Sequence, residues 1–330
     1  MIDTYTDGAG RTASAEQRTE RVATVTRRLR DGMSAAVLSF PLTPFDADGG
    51  LDPDGFRSHV REQIAAGPGA LFPCCGTGEF FSLAEPEYET LVSIAVEESD
   101  GALPVVAATG YGWAQAARFA AIAERAGVDA LLLMPPYLVE APQAGLVEHV
   151  RRVAATTELP IIVYQRTQVK ITASSVPALA AIPNVIGLKD GHCDLDRLQR
   201  LRLAAPPEWL FFNGAATAEM QARQYASIGV PAYSSAVHAF APEISRAFFR
   251  AFQDDDHARV DELLSEFYVP LVELRDQGVG YAVSLVKAAA RLRGAKVGPV
   301  RAPLADPAPE HLDVLDALLT KGLDLVGATR

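Results

Sequence analysis

Cysteines and basic residues are both scarce in this sequence, and each shortage argues against a class of protein. The 330 residues include only three cysteines, and two of them, Cys74 and Cys75, are adjacent. This pattern provides neither a disulfide framework nor the spacing of a metal-binding set, and it suits a reducing cytoplasm. Lysine and arginine number 30 against 41 aspartates and glutamates, for a net charge of −11. Without a basic stripe, the chain is not expected to bind nucleic acid.

Long hydrophobic runs are also missing. No stretch reaches the length of a membrane span, so no membrane partner is expected. The first 32 residues are polar and charged throughout, which does not match a secretory signal. We predict that residues 1–32 form an extension outside the catalytic unit, with a disordered tip. Residues 16–30 within it should form an amphipathic helix, because Val22, Val25 and Leu29 fall on one side.

A strand–helix alternation begins after Gly32 and repeats eight times. Its strand candidates are continuous apolar runs, which indicate a parallel sheet buried on both faces. Eight such units favour a closed (β/α)8 barrel, the TIM barrel of the α/β class, over residues 33–254. A doubly wound open sheet is the alternative, although it more often has fewer strands. The predicted strands are residues 35–39, 70–73, 104–107, 130–134, 160–164, 185–189, 209–213 and 231–235.

The helices predicted to follow these strands are residues 53–66, 85–98, 113–126, 143–156, 176–181, 194–203, 216–227 and 242–253. Beyond the barrel, helical patterns continue at residues 257–275, 281–293 and 311–326, with no strand between them. We therefore predict a helical C-terminal appendage over residues 255–330.

The main functional candidate is Lys189, at the end of the apolar strand over residues 185–189. In α/β barrels the chemistry lies at the carboxyl ends of the strands. Burial at such a place favours the neutral amine, which is a nucleophile toward carbonyl groups. Lysines are usually exposed, so Lys189 taken by itself is more simply interpreted as a solvated side chain. Its importance therefore depends on what the other strand ends carry.

Two other strand ends carry groups that suit a carboxylated substrate. After the second strand, Gly76, Thr77 and Gly78 allow a tight turn whose N–H groups can bind an anion. At the fifth, Tyr164 can relay protons and Arg166 can clamp a carboxylate. An ordinary glycine turn and a buried tyrosine bonded to the backbone are the alternatives.

The remaining strand ends add smaller contributions. Ser234 and Ser235 end the eighth strand and supply hydroxyl groups, while Tyr137 follows two prolines after the fourth and can equally be a packing or interface residue. Nicotinamide-dependent chemistry is disfavoured, because Phe81 and Gln115 stand where dinucleotide-binding patterns need a third glycine. The candidates contain no converging metal ligands and no carboxylate pair for glycoside hydrolysis, so imine chemistry without a metal or other cofactor is expected.

On these residues, the chain resembles the dihydrodipicolinate synthase / N-acetylneuraminate lyase family from about residue 33 to residue 319. The glycine–threonine–glutamate signature is matched at residues 76–79, the strand-five tyrosine by Tyr164 and the Schiff-base lysine by Lys189. The resemblance implies that Tyr137 is the tyrosine that some members lend to a neighbouring subunit. It also implies a homo-oligomer, either a dimer or a tetramer.

Within that family the chain most resembles the 5-dehydro-4-deoxyglucarate dehydratases, at residues 76–83, 233–237, 280–287 and 298–301. The resemblance implies a six-carbon keto sugar diacid as substrate, which loses water and carbon dioxide through an imine on Lys189. Two residues depart from the pattern: Cys75 replaces a usual glycine, and Gln165 replaces the asparagine that usually follows the tyrosine. A pyruvate-dependent aldolase or synthase of the same family and a non-catalytic sugar-acid sensor remain the alternatives.

Overall fold

The computed structural model describes residues 15–329, so the predicted disordered tip of the N-terminal extension lies outside the described residues. The strands are β1 (Leu38–Ser39), β2 (Ala70–Leu71), β3 (Val106–Thr109), β4 (Ala130–Leu133), β5 (Ile161–Gln165), β6 (Val185–Asp190), β7 (Leu210–Asn213) and β8 (Ser234–Ser235). The helices are α1 (Ala15–Ala35), α2 (Pro53–Ala65), α3 (Glu85–Ser99), α4 (Trp113–Ala126), α5 (Gln143–Ala154), α6 (Val176–Ala180), α7 (Leu195–Ala204), α8 (Ala222–Ser227), α9 (Pro242–Gln253), α10 (His257–Leu263), α11 (Val269–Arg275), α12 (Tyr281–Leu292) and α13 (Pro309–Leu325).

The eight strands form one closed parallel barrel. Parallel pairing joins β2, β1 and β8 in one group and β3 to β7 in the other. Two further parallel bridges, between Leu71 and Val105 and between Asn213 and Tyr233, connect the groups at both edges. Closure leaves no exposed sheet edge and brings all the carboxyl ends of the strands to one rim. The predicted TIM barrel is confirmed.

The predicted bounds of the first strand were wrong. Helix α1 continues to Ala35, and β1 contains only Leu38 and Ser39. The predicted helix over residues 216–227 is also divided, into a 3-10 turn at Ala218–Gln221 and the short helix α8. Apolar patterns do not mark the exact residues at which a strand begins, nor whether a helical turn is α or 3-10, so neither difference could be predicted from the sequence.

Helix α1 packs across the amino ends of the barrel strands. Its Arg28 pairs with Asp129, immediately before β4, at 2.7 Å. Val25, Leu29 and Met33 are buried in the same apolar cluster as the barrel core. The predicted amphipathic helix is thus present, and it covers the end of the barrel opposite the carboxyl ends of the strands. The division of the chain into extension, barrel and appendage stays a prediction.

The C-terminal helices form a second apolar cluster against the barrel. Phe248 of α9, Leu285 of α12 and Leu319 of α13 are all buried in it. The predicted helix over residues 257–275 is interrupted by a π-helical turn at Leu264–Tyr268, between α10 and α11. Across residues 15–329, none of the helices combines the length and apolar character needed to cross a membrane.

Candidate active site

The amine of Lys189 lies among three aromatic rings at the carboxyl end of β6. Its Nζ is 4.0 Å from the ring centre of Phe40, 4.6 Å from that of Tyr164 and 5.5 Å from that of Phe212. The side chain is buried, with 6% of its surface exposed. Parallel pairing sets Lys189 directly beside Tyr164 of β5, which explains why these two side chains meet.

This burial lowers the pKa of Lys189 from its ordinary 10.5 to about 7. Loss of hydration is the largest cause, and the nearby positive charge of Arg166 acts in the same direction. The ring faces attract an ammonium ion, but their effect is smaller than the cost of removing it from water. A substantial fraction of the amine is therefore neutral near pH 7, which is the form that attacks a carbonyl.

Tyr164 is the second buried polar group at this point. Its hydroxyl donates a hydrogen bond to the carbonyl oxygen of Gly214 at 3.3 Å. Burial raises the pKa of Tyr164, and Arg166 offsets that rise only in part. The phenol therefore holds its proton at neutral pH and is available as a proton donor next to the amine.

Two glycines make room for these two side chains. A Cβ placed on Gly214 would lie 2.7 Å from Cγ of Lys189 and closer still to its Cε. A Cβ on Gly191 would lie 3.0 Å from the hydroxyl oxygen of Tyr164. The backbone thus packs tightly against both functional groups and restricts their rotamers.

A cavity of about 310 Å³ opens above the lysine. The predicted residues on its wall are Gly76, Thr77, Tyr164, Arg166, Lys189, Ser234 and Ser235. Among residues 15–329, no hydrogen bond uses the amide N–H groups of Gly76 or Thr77. Two free donors beside the amine form the kind of backbone site that receives a carboxylate.

Three predicted site residues do not present their functional groups to this cavity. Gly78 is buried beneath it, where its carbonyl accepts a hydrogen bond from Thr43 at 2.7 Å. The hydroxyl of Ser235 donates to the buried carboxyl of Glu219 at 2.5 Å, so it is already engaged. Tyr137 is 68% exposed and does not line the cavity.

The first turn of α12 and the segment before α13 also line the cavity, and the sequence analysis did not predict this. Gly280, Ala282 and Val283 at the start of α12 line the cavity together with Leu304. They lie within or near the stretches at residues 280–287 and 298–301, which resemble the dehydratases, so that resemblance was the available signal.

A second missed group is the buried carboxylate of Asp190, next to Lys189. It accepts hydrogen bonds from the amide of Gln165 at 2.6 Å and from the hydroxyl of Tyr225 at 2.5 Å. Alternation along β6 indicates that Asp190 points away from Lys189, but it does not identify these partners. The bond to Gln165 joins the ends of β5 and β6.

The fold and this cavity define a class: (β/α)8-barrel proteins with a buried lysine at the end of the sixth strand, beside a tyrosine of the fifth. Residues 33–322 match the model of the dihydrodipicolinate synthetase family. The chain belongs to this family.

Two similar proteins carry the same activity in their names. The chain is 69% identical to a Streptomyces coelicolor protein named probable 5-dehydro-4-deoxyglucarate dehydratase 2, over 93% of this chain and 95% of that relative. It is 41% identical to the Pseudomonas putida 5-dehydro-4-deoxyglucarate dehydratase, over 89% and 98%.

Among solved structures, the dihydrodipicolinate synthase of Oceanobacillus iheyensis superposes with a TM-score of 0.82, at 23% identity, over 90% of this chain and 98% of that one. This likeness shows the shared barrel fold.

Proposed function

We propose that the chain is a decarboxylating 5-dehydro-4-deoxyglucarate dehydratase, a carbon–oxygen lyase. It converts 5-dehydro-4-deoxy-D-glucarate to 2,5-dioxopentanoate, water and carbon dioxide. The names of relatives up to 69% identical support the assignment. The observation that carries the chemistry is the buried amine of Lys189, whose pKa is lowered to about 7, in contact with Tyr164 at the cavity wall.

The reaction begins with an imine. Carbons are numbered here from the keto-acid end of the substrate, so carbon two is the ketone. Neutral Lys189 attacks carbon two, and loss of water from the adduct gives a protonated imine. The positive nitrogen withdraws electrons, so a proton on carbon three becomes acidic. Tyr164, whose buried ring lies beside the amine, moves protons between these positions.

Loss of the proton from carbon three converts the protonated imine into an enamine. Dehydration starts from this enamine. Electrons return from nitrogen through carbons two and three, the bond from carbon four to its hydroxyl breaks, and the departing hydroxide takes a proton to leave as water. A carbon–carbon double bond, conjugated with the iminium, remains between carbons three and four.

In the decarboxylation step, the protonated imine nitrogen again accepts the electron pair of the bond that breaks. The bond between carbon five and the distal carboxylate breaks, carbon dioxide leaves, and the electron pair passes through the conjugated system to nitrogen. Protonation, tautomerisation and hydrolysis then release 2,5-dioxopentanoate and free Lys189. One amine thus serves both cleavages, and no step calls for a metal or an organic cofactor.

The cavity wall suggests how the diacid is held. The carboxylate next to the ketone would accept hydrogen bonds from the amides of Gly76 and Thr77, which have no partner among residues 15–329. Arg166 is exposed at the cavity and forms no ion pair within those residues, so it suits the distal carboxylate. Ser234 also lines the cavity, and its hydroxyl donates to the carbonyl oxygen of Asn213 at 3.2 Å; its own oxygen would accept a hydrogen bond from a substrate hydroxyl.

Assembly and location are also proposed. The exposed side chain of Tyr137, with its neighbours Leu138 and Val139, offers an apolar surface for a second copy of the chain. We propose a homo-oligomer, a dimer or a tetramer, in the cytoplasm.

Gly78 would act on the substrate only indirectly, by allowing the close packing of the Gly76 loop on Pro41.

The test supplies 5-dehydro-4-deoxy-D-glucarate and measures carbon dioxide and 2,5-dioxopentanoate. Pyruvate release without carbon dioxide would instead identify an aldolase. Borohydride reduction in the presence of a keto acid, followed by mass spectrometry, should place the adduct on Lys189. Lys189→Arg should abolish both turnover and trapping, while Lys170→Arg, a change of the same type at an exposed lysine, should affect neither. A sensor would form no covalent adduct.

A further inference from the structure

The amide of Gln165 joins two parts of the active-site rim. Its Nε2 donates to the carboxylate of Asp190 at 2.6 Å, and its Oε1 accepts from the backbone amide of Ile171 at 3.1 Å. Gln165 itself is completely buried. Both ends of this side chain are therefore engaged in hydrogen bonds, one to a carboxylate and one to a backbone amide.

The second bond closes the loop that carries Arg166. The loop leaves β5 at Gln165 and returns to the side chain of the same residue at Ile171, which is also buried. Thr167 within it has φ +52°, a left-handed conformation that is unfavourable for a residue other than glycine. A loop containing such a conformation needs restraint from its surroundings, and Gln165 supplies it at the base.

The other hydrogen-bond partner of Gln165, Asp190, is fixed by its place in β6, the strand that carries Lys189. Asp190 follows Lys189 directly in β6, and its carboxylate also accepts hydrogen bonds from Tyr225 and from the amide of Cys193. These hydrogen bonds fix the position of the Asp190 carboxylate. Because Gln165 binds this carboxylate, it fixes the loop that carries Arg166 relative to Asp190 and therefore to Lys189.

We propose that Gln165 is a positioning residue, which sets Arg166 at the distance from Lys189 required by the distal carboxylate of a six-carbon keto diacid. The proposal rests on the assignment of the site to a keto diacid. Gln165 does not touch the substrate; it acts through the loop and its arginine.

The length of the Gln165 side chain determines whether it can reach Asp190 and Ile171 at the same time. An asparagine at this position would be shorter by one carbon–carbon bond of about 1.5 Å. It cannot keep both bonds unless the loop moves toward Asp190 or loses its contact at Ile171. Either change displaces Arg166 relative to Lys189.

The test compares two six-carbon keto acids that differ only at the far end, 2-oxoadipate and 2-oxohexanoate. Both can form an imine, but only 2-oxoadipate has a distal carboxylate, and neither can be dehydrated. The measured quantity is the concentration that gives half-maximal borohydride trapping. Gln165→Asn should raise it about tenfold for 2-oxoadipate, the effect of one displaced charge-assisted hydrogen bond, and leave 2-oxohexanoate unchanged.

Two further variants distinguish positioning from general damage. Gln168→Asn makes the same chemical change at an exposed residue of the same loop and should alter neither half-saturation value. If Gln165 acts through Arg166, adding Gln165→Asn to Arg166→Ala should change the 2-oxoadipate value by less than about twofold.

Equal losses for both keto acids, or the same tenfold loss in the Arg166→Ala background, would overturn the proposal. Because trapping needs no turnover, this result is separate from the dehydratase assignment. That assignment fails only if the wild-type protein releases no carbon dioxide from the hydroxylated keto diacid.

Discussion

The Nζ of Lys287 lies 2.8 Å from Oε1 of Glu79, and both side chains are completely buried. The two residues are 208 positions apart in the chain. Glu79 follows the Gly76 loop at the cavity floor, and Lys287 belongs to α12, whose first turn roofs the cavity. The other oxygen of Glu79 accepts the backbone amide of Arg301 at 3.0 Å. This ion pair therefore connects the loop at residues 76–79, on one side of the cavity, to α12 on the other.

Removing one partner of this pair should destabilise the protein strongly. Lys287→Met leaves the Glu79 carboxylate buried without its cation, and such a loss typically costs about 3–5 kcal/mol of unfolding free energy. Lys321→Met is the matched control, because Lys321 pairs with Glu266 at the surface and exposed pairs contribute about 0–1 kcal/mol.

Urea unfolding would measure both free energies. The double variant Glu79→Gln/Lys287→Met should recover part of the loss, because no buried charge remains unpaired. Equal stability of the Lys287 and Lys321 variants would show that the pair is not a structural link.

Gly214 is predicted to be essential for the position of the catalytic amine. In Gly214→Ala the new methyl group would occupy the space of the Lys189 side chain, whose Cγ would lie only 2.7 Å away. The lysine would have to leave its rotamer. A displacement of about 1 Å can cost about 10²-fold in rate, so turnover should fall at least that far.

The control for this change is Gly112→Ala. Gly112 has φ −68° and no atom within 4 Å of an added Cβ, so alanine fits there without strain. Both variants should keep the circular dichroism spectrum of the wild type. Normal trapping in Gly214→Ala would mean that Lys189 is not confined as the structure indicates.

The barrel could be predicted from the sequence because each strand is marked by a pattern of neighbouring residues. Each strand is a short apolar run bounded by helix starts and stops, and Lys189 stands at the end of such a run. Pairing partners distant in the sequence have no such signal. No pattern at Glu79 indicates that its cation is Lys287, and none at Gln165 indicates that it closes its own loop on Ile171. These contacts depend on tertiary packing, and they shape the rim of the cavity.

Tyr164→Phe should separate imine formation from the later proton transfers. The phenyl ring keeps the packing against Lys189, whose Nζ lies 4.6 Å from the ring centre, and only the hydroxyl is lost. We expect borohydride trapping to persist, while turnover of the keto diacid falls about 10²–10⁴-fold, the usual contribution of a proton-transfer group.

Tyr111→Phe is the appropriate control for the lost hydroxyl. Tyr111 also donates to a backbone carbonyl, that of Phe80 at 3.2 Å, but it does not line the cavity. Its variant should turn over normally. If Tyr164→Phe also did so, another group would have to move the protons.

The pH dependence of trapping should reveal the burial of Lys189. Only the neutral amine attacks a ketone, so the trapping rate should rise with pH while the ammonium form dominates, by about tenfold per pH unit, and level off above the pKa. Burial lowers that pKa to about 7, so the plateau should begin near pH 7. A solvated lysine would show a rate still rising toward its ordinary pKa of 10.5.

The same measurement tests the influence of Arg166. Its positive charge acts together with burial to lower the pKa of Lys189, so Arg166→Ala should move the midpoint to higher pH. Arg200→Ala, at a surface arginine paired with Asp196, should leave the midpoint unchanged. An unshifted midpoint in Arg166→Ala would assign the lowered pKa to the loss of hydration by itself. A wild-type midpoint close to 10 would contradict the buried amine on which the proposed chemistry depends.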